Sequence, residues 1–80
     1  MLTTYIEAAM KHARFAFLDE DQEWYGEILE LPGVWAVGQT EGACRAELQS
    51  TLEGWLALGL QLGHDIPAID GHTVRVALAG

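Results

Sequence analysis

Cationic residues are scarce in this chain. Four Lys and Arg stand against 12 Asp and Glu, a formal net charge of −8 at pH 7 over 80 residues. So acidic a surface repels a phosphate backbone. It argues against direct nucleic-acid binding by the chain alone and suits a basic protein partner drawn in by long-range steering. Cysteine is nearly absent as well. Cys44 stands alone, so no disulfide can close within the chain, and a reducing compartment is the simplest setting. The N-terminal MLTTYIEAAMKHARF lacks the charged-then-apolar pattern of a secretory signal. The longest apolar run, Trp55 to Leu60, falls far short of the ~20 residues that span a bilayer. These absences point to a cytoplasmic protein with no membrane segment.

Catalytic equipment is thin too. The histidines, His12, His64 and His72, do not recur at metal-ligand spacing, and a single cysteine cannot build a zinc knuckle, so neither metal nor cofactor is expected. All three read as surface or capping residues. Asp19-Glu20-Asp21 with Glu23 starts like a calcium loop, but Trp24 stands where such a loop needs glycine, so the stretch reads as a solvated hairpin tip. Ser50, the only serine, falls inside a predicted helix without a nucleophile elbow. Cys44 lies on an apolar helical stripe, where a small buried hydrophobe is the simplest reading. No glycine-rich run leads into a helix bearing a lysine, so there is no phosphate loop. A metal-dependent nuclease needs carboxylates converging from neighbouring strands, yet RFAFL has none and EWYGEIL offers only Glu23 and Glu27. The chain does not read as an enzyme.

What is present is apolar: half the residues, with three Trp. A chain of about 60 residues buries only roughly 60% of its unfolded surface, so part of this apolar content must remain outside. One domain, residues 1–80, is the expectation. An N-terminal helix is predicted over residues 1–13, from the face Leu2, Ile6, Ala9, Met10 and Ala13, with Thr4 and Glu7 as a capping box and Glu7–Lys11 as an i,i+4 pair. RFAFL and EWYGEIL, joined by Asp19–Gln22, predict a hairpin. Period-2 alternation puts Trp24, Gly26 and Ile28 on one face and Tyr25, Glu27 and Leu29 on the other. Pro32-Gly33 interrupts the ladder before a third strand, VWAVG. Thr40 and Gly63 bracket a long helix over about 41–62, with Cys44, Leu48, Leu52, Trp55 and Gly59 as its apolar stripe. Gly54 and Gly59 inside that helix predict close approach of a neighbouring backbone. Asp70-Gly71 is a turn, and His72 to Leu78 reads as a last strand, placed beside the first. The class is α+β with a small, mostly antiparallel sheet.

The block GEILELPGVWAVGQTEGACRAELQSTLEGWL resembles the HicB-like antitoxin family. The matching positions are Glu30, Leu31, Pro32, Gly33, Ala36, Gly38 and Thr40, then Cys44, Leu48 and Leu52, with Cys44 in place of a small alanine. The likeness runs from about Arg14 to Ile66-Pro67, roughly two-thirds of the chain. It implies a partial RNase H-like β-β-β-α-β unit, here with an additional N-terminal helix and without nuclease carboxylates. It also implies a partner: the HicA-type toxin, a small basic ribonuclease whose active site the antitoxin masks. Many members add a C-terminal ribbon-helix-helix or helix-turn-helix segment. This chain reaches Gly80 directly after the last expected strand, so the short form without a DNA-binding segment is expected.

Two surfaces follow as expectations. The partner-binding set is Trp24, Glu27, Glu30, Leu31, Pro32, Gly33 and Trp35, large aromatics rimmed by acids. The oligomer-interface set is Trp55, Leu56, Leu58, Gly59, Leu60 and Leu62, where few polar positions remain. A homodimer or larger homo-oligomer is expected, because both faces of the first strand are apolar and one long helix covers only one. The alternative is a stand-alone, self-associating HicB-like domain with no toxin and no enzymatic activity.

Overall fold

The computed structural model describes residues 2–73. Helix α1 spans Leu2–Lys11, strands β1, β2 and β3 span Ala13–Leu18, Glu23–Ile28 and Trp35–Gly38, and helix α2 spans Glu41–Leu62. The fold is α+β: two helices and a three-stranded antiparallel meander in the order β1-β2-β3. The last predicted strand, His72 to Leu78, falls for the most part outside the described residues. Its first residue closes a two-residue turn, because Ile69 and His72 exchange backbone hydrogen bonds across Asp70-Gly71. Both central residues have positive φ, 51° and 80°, the type I′ pattern that Asp-Gly favours.

Local chemistry sets most boundaries. The hairpin turns at Asp19–Gln22, with Leu18 opposite Glu23, and the Gln22 side chain donates to the Asp19 carbonyl at 2.7 Å. Between β2 and β3, the Val34 N–H donates to the Leu31 carbonyl at 3.0 Å across Pro32-Gly33. Proline fixes the first central residue of this turn, and Gly33, at φ 96°, takes the left-handed second position of a type II turn. Thr40 caps α2 by accepting from the Ala43 N–H at 3.0 Å. At the other end Gly63 is left-handed (φ 73°), its N–H reaches Leu60 and the His64 N–H reaches Gly59, which is a Schellman closure.

Helix α1 is already under way where the sequence suggested its cap. Because it begins at Leu2, Thr4 lies within the first turn, so the Thr4–Glu7 capping box is not the cap. The inward face also differs: Tyr5, Ala8, Ala9 and Met10 are buried, and Ile6 lies at the margin.

An added Cβ on Gly26 would meet the Phe15 ring and the Cys44 sulfur, which identifies the face of the sheet that α2 covers. By alternation, Phe15, Phe17, Trp24, Ile28, Ala36 and Gly38 share that face. Cys44, Leu48, Leu52 and Leu56 from α2 seal against it, four residues apart and all fully buried. Helix α1 lies along α2 and contributes Tyr5, Ala8, Ala9 and Met10 to the same core, joined by Leu31, Val34 and Ile69. The two helices therefore share one face of the sheet, and neither covers the opposite, outer one.

Candidate functional site

The outer face of the meander carries Ala16, Tyr25, Trp35 and Val37 with Arg14, Glu23 and Glu27, as the pleat dictates. In register, Tyr25 opposes Val37 and Glu27 opposes Trp35. Tyr25 and Trp35 are thus diagonal neighbours, and their rings stack with centroids 6.1 Å apart at 23°. Trp35 and Leu29 remain 53% exposed and Val37 37%, an apolar surface that nothing in the described fold covers. Beside it the Pro-Gly corner frames a shallow cleft of about 280 Å³, lined by Tyr25, Glu27, Leu29, Pro32, Gly33 and Trp35 among others.

The structure brings together Glu27, Leu31, Pro32, Gly33 and Trp35 from the expected partner-binding set and adds Tyr25 and Leu29. Trp24 and Glu30 do other work, and Leu31 lines the cleft only from beneath. Trp24 faces the α2 side, packed edge-to-face on Phe17 at 5.7 Å, so the two tryptophans lie on opposite faces of the sheet. Leu31 is fully buried and supports the corner from within. Glu30 accepts a hydrogen bond from His12 Nδ1 at 2.6 Å.

The expected oligomer set divides as well. Leu56 and Gly59 point inward, with the Ile66 side chain 3.0 Å from where a Cβ on Gly59 would sit. Trp55 packs half-buried against the core, and Leu60 is half-buried. Leu58 and Leu62, one turn apart, are 56% and 58% exposed and form the free part of that patch. The close neighbour at Gly59 is thus a side chain, not the backbone that the sequence predicts. At Gly54 an added Cβ would meet nothing within 4 Å, so no neighbour in the chain accounts for that glycine.

A larger cleft, about 560 Å³, opens between α1 and α2. Its walls set Lys11 and Arg45 against Glu7 and Glu53 over Ile6 and Met10, and this balance of charge selects no ligand class. Arg45 is further engaged over the Phe15 ring at 5.0 Å. The cysteine is no nucleophile. Cys44 is fully buried, its sulfur donates to the Ala36 carbonyl at 3.5 Å, and burial, followed by Glu23 and Glu41, pushes the thiol above its ordinary range. Among the described residues no three His, Cys, Asp or Glu side chains converge to hold a metal ion. No helix among them is long and apolar enough to cross a membrane.

What the sequence did not reveal is His12. It occupies the link between α1 and β1 and bridges Glu30 to Asp70, with Nε2 2.9 Å from both Asp70 oxygens. Its partners lie 18 and 58 residues away, and no local signal announces them.

Comparison with known proteins fits this architecture. The crystal structure of TTHA0281 from Thermus thermophilus is similar, with a TM-score of 0.87 and 42% identity over 94% of this chain and 93% of that one. No curated protein matches. A family model described as UPF0150-like matches residues 4–67, a span from the first turn of α1 through α2 and beyond it, and the chain belongs to that UPF0150-like family.

Proposed function

We propose that this chain is a HicB-like antitoxin that binds a small basic HicA-type ribonuclease and masks its active site. The observation that carries the reading is the outer sheet face: a stacked Tyr25–Trp35 pair, half exposed at Trp35, bordered by Glu23 and Glu27 with Arg14 opposite Glu27. Aromatic anchors ringed by polar groups are the usual make-up of a binding hot spot. Acids at the rim and a net charge of −8 attract a basic partner and repel a bare phosphate backbone. The UPF0150-like family is associated with HicB-like antitoxin domains, in agreement with the motif from Glu30 to Leu52. In this reading the chain works in the cytoplasm, catalyses nothing, needs no cofactor, and touches nucleic acid only through its partner.

The second reading, a stand-alone self-associating domain without a toxin, draws on Leu58 and Leu62. Two exposed leucines one turn apart on α2 suit a homodimer or larger homo-oligomer. Capture of the tagged chain from its own cells, with mass spectrometry of what co-elutes, separates the two. A small basic protein recovered in near-stoichiometric amount, whose RNA cleavage this chain suppresses and Trp35→Ala does not, supports the antitoxin. Recovery of the chain alone as a discrete oligomer refutes it in favour of the stand-alone domain.

A further inference from the structure

Among the described residues, every ion pair converges on His12. Its ring lies between two carboxylates, with Nδ1 on Glu30 and Nε2 on Asp70. A carboxylate can only accept, and a neutral imidazole has one N–H and one lone pair. The arrangement therefore requires both ring nitrogens to carry hydrogen, which means the imidazolium. Because the carboxylates sit on opposite nitrogens, they do not form a chelating set for a metal.

The two acids belong to different parts of the molecule. Glu30 directly precedes the Leu31–Val34 turn that borders the outer-face cleft, and Asp70 is the first central residue of the Ile69–His72 turn. The groups facing the ring are thus Glu30 from the β2–β3 connection and Asp70 from the C-terminal turn. Lys11 and Arg14 flank His12 in the chain, and His72 follows Asp70 by two residues. Among the described residues the segment after α2 has three other ties: Ile66 against Gly59 and the core, Ile69 within the core, and the Pro67 carbonyl, which accepts from the Tyr5 hydroxyl.

We propose that His12 is a proton-operated latch, which as an imidazolium pins the Pro32-Gly33 corner and the Ile69–His72 turn together at the head of β1, and on losing its proton lets the turn go. The Glu30 contact is the shorter, at 2.6 Å, and Glu30 sits in a turn closed by the Leu31 N–H on the Ile28 carbonyl, so the single remaining N–H stays there and Asp70 faces a lone pair. The Asp70 hydrogen bond and then the Glu30 hydrogen bond hold the imidazole above its ordinary value of 6.5. A folded-state value raised above the unfolded one gives a contribution fully present below about pH 6.5 and lost as pH rises through the folded value. That the latch regulates the outer-face cleft rests on the antitoxin reading; the latch itself does not.

The test is an NMR pH titration of the full chain, following the His12 ring and the backbone amides together. The His12 midpoint lies above about 6.5, and the amides of Ile69, Gly71 and His72 move with that midpoint. In Asp70→Asn the midpoint falls and the coupled movement of those amides disappears. In Glu30→Gln the midpoint falls while the Ile69–His72 amides still follow the ring. A His12 midpoint at or below 6.5 overturns the latch, as does the same amide movement persisting in His12→Gln. All three side chains are about one-third exposed or more, so the variants leave the core untouched. None of these readouts needs a partner. If the latch titrates as stated but a captured partner binds equally well on both sides of the midpoint, the regulatory role is overturned and the antitoxin reading is unaffected.

Discussion

At Gly38 the backbone of helix α2 lies directly against the sheet, and one methyl group there tests the packing arrangement. A Cβ built on Gly38 would lie 2.5 Å from the Cys44 nitrogen, 2.8 Å from the Cys44 Cα and 3.0 Å from the Ala43 carbonyl carbon. These are backbone atoms of the first turn of α2, so no rotamer change relieves the contact. The turn is also held from its own side. Ala43 N–H is bonded to the Thr40 side chain, Cys44 N–H to the Thr40 carbonyl, and the Cys44 thiol to Ala36. In Gly38→Ala the helix must back away from β3 by about the deficit to ordinary contact, which loosens Cys44 and Leu48 in the core. Overpacking against unyielding neighbours costs typically 1–3 kcal/mol, and the upper half of that range, ~2–3 kcal/mol, applies here. For a domain of this size each kcal/mol shifts Tm by roughly 4–8 °C, so a fall of roughly 10–20 °C is expected in a thermal melt followed by circular dichroism. Gly54→Ala is the control. With open space around that position, it gains helix propensity of up to about 1 kcal/mol. The reasoning is refuted if Gly38→Ala melts within a few degrees of the wild type, because α2 would then not be seated on β3 as described.

Three further outcomes follow from single side chains. Thr40→Ala removes the acceptor for the Ala43 N–H and lowers stability by about 1 kcal/mol in urea unfolding, whereas Thr40→Ser retains it. Trp35→Ala leaves the unfolding free energy in urea within about 1 kcal/mol of the wild type, because the ring is half exposed. It weakens capture of a basic partner by at least tenfold, about 1.4 kcal/mol, in a binding titration. Tyr5 has its phenol raised above 10 by burial, so the unfolded chain ionises first, and stability that is complete below about pH 10 declines as pH rises. Tyr5→Phe removes that alkaline component and costs about 1 kcal/mol at neutral pH through the lost bond to Pro67, as paired urea titrations at the two pH values would show.

The parts of the fold legible in the sequence are those fixed by neighbours in the chain. Thr40 and Gly63 bound α2 at the expected residues because capping is a matter of three or four positions. The Asp19–Gln22, Pro32-Gly33 and Asp70-Gly71 turns are likewise self-contained. Helix α1 stops at Lys11, two residues short of the expected Ala13, which instead opens β1, and its inward face matches the expected one only in part. Tyr5, Ala8 and Ala9 also recur at helical spacing, yet a phenol does not declare which way it faces until a carbonyl such as Pro67 is found for it. Alternation assigned residues to two faces of each strand without saying which face α2 would cover. Nor could it align β3 against β2, so Trp24 and Trp35 were grouped although the register separates them. His12 was out of reach for the same reason on a larger scale, since its three-way junction exists only once both long-range contacts have formed.

The distribution of the remaining apolar surface bears on how the two proposed interactions would coexist. Among the described residues folding buries most of the α2-facing side of the sheet, where Phe17 stays 44% exposed beside Trp24, and leaves two further patches: Tyr25, Leu29, Trp35 and Val37 around the outer face, and Leu58 with Leu62 near the end of α2. Because α2 packs on the inner face, the second patch lies on the helical layer, away from the outer strand surface. Self-association through the leucines would therefore leave the aromatic face open, and a dimer would present two copies of it. Their charge differs in the same sense: acids border the outer face, whereas α2 carries no basic residue in its last turn and offers leucines with Gln61 between them. Under the proposed reading, steering of a basic partner would belong to the first patch and plain apolar contact to the second. Rising salt should accordingly slow partner association, with a Debye length of ~8 Å at physiological strength, while leaving oligomer dissociation nearly unchanged. Measured on-rates and sedimentation at two salt concentrations that moved together would instead mean that one surface serves both contacts.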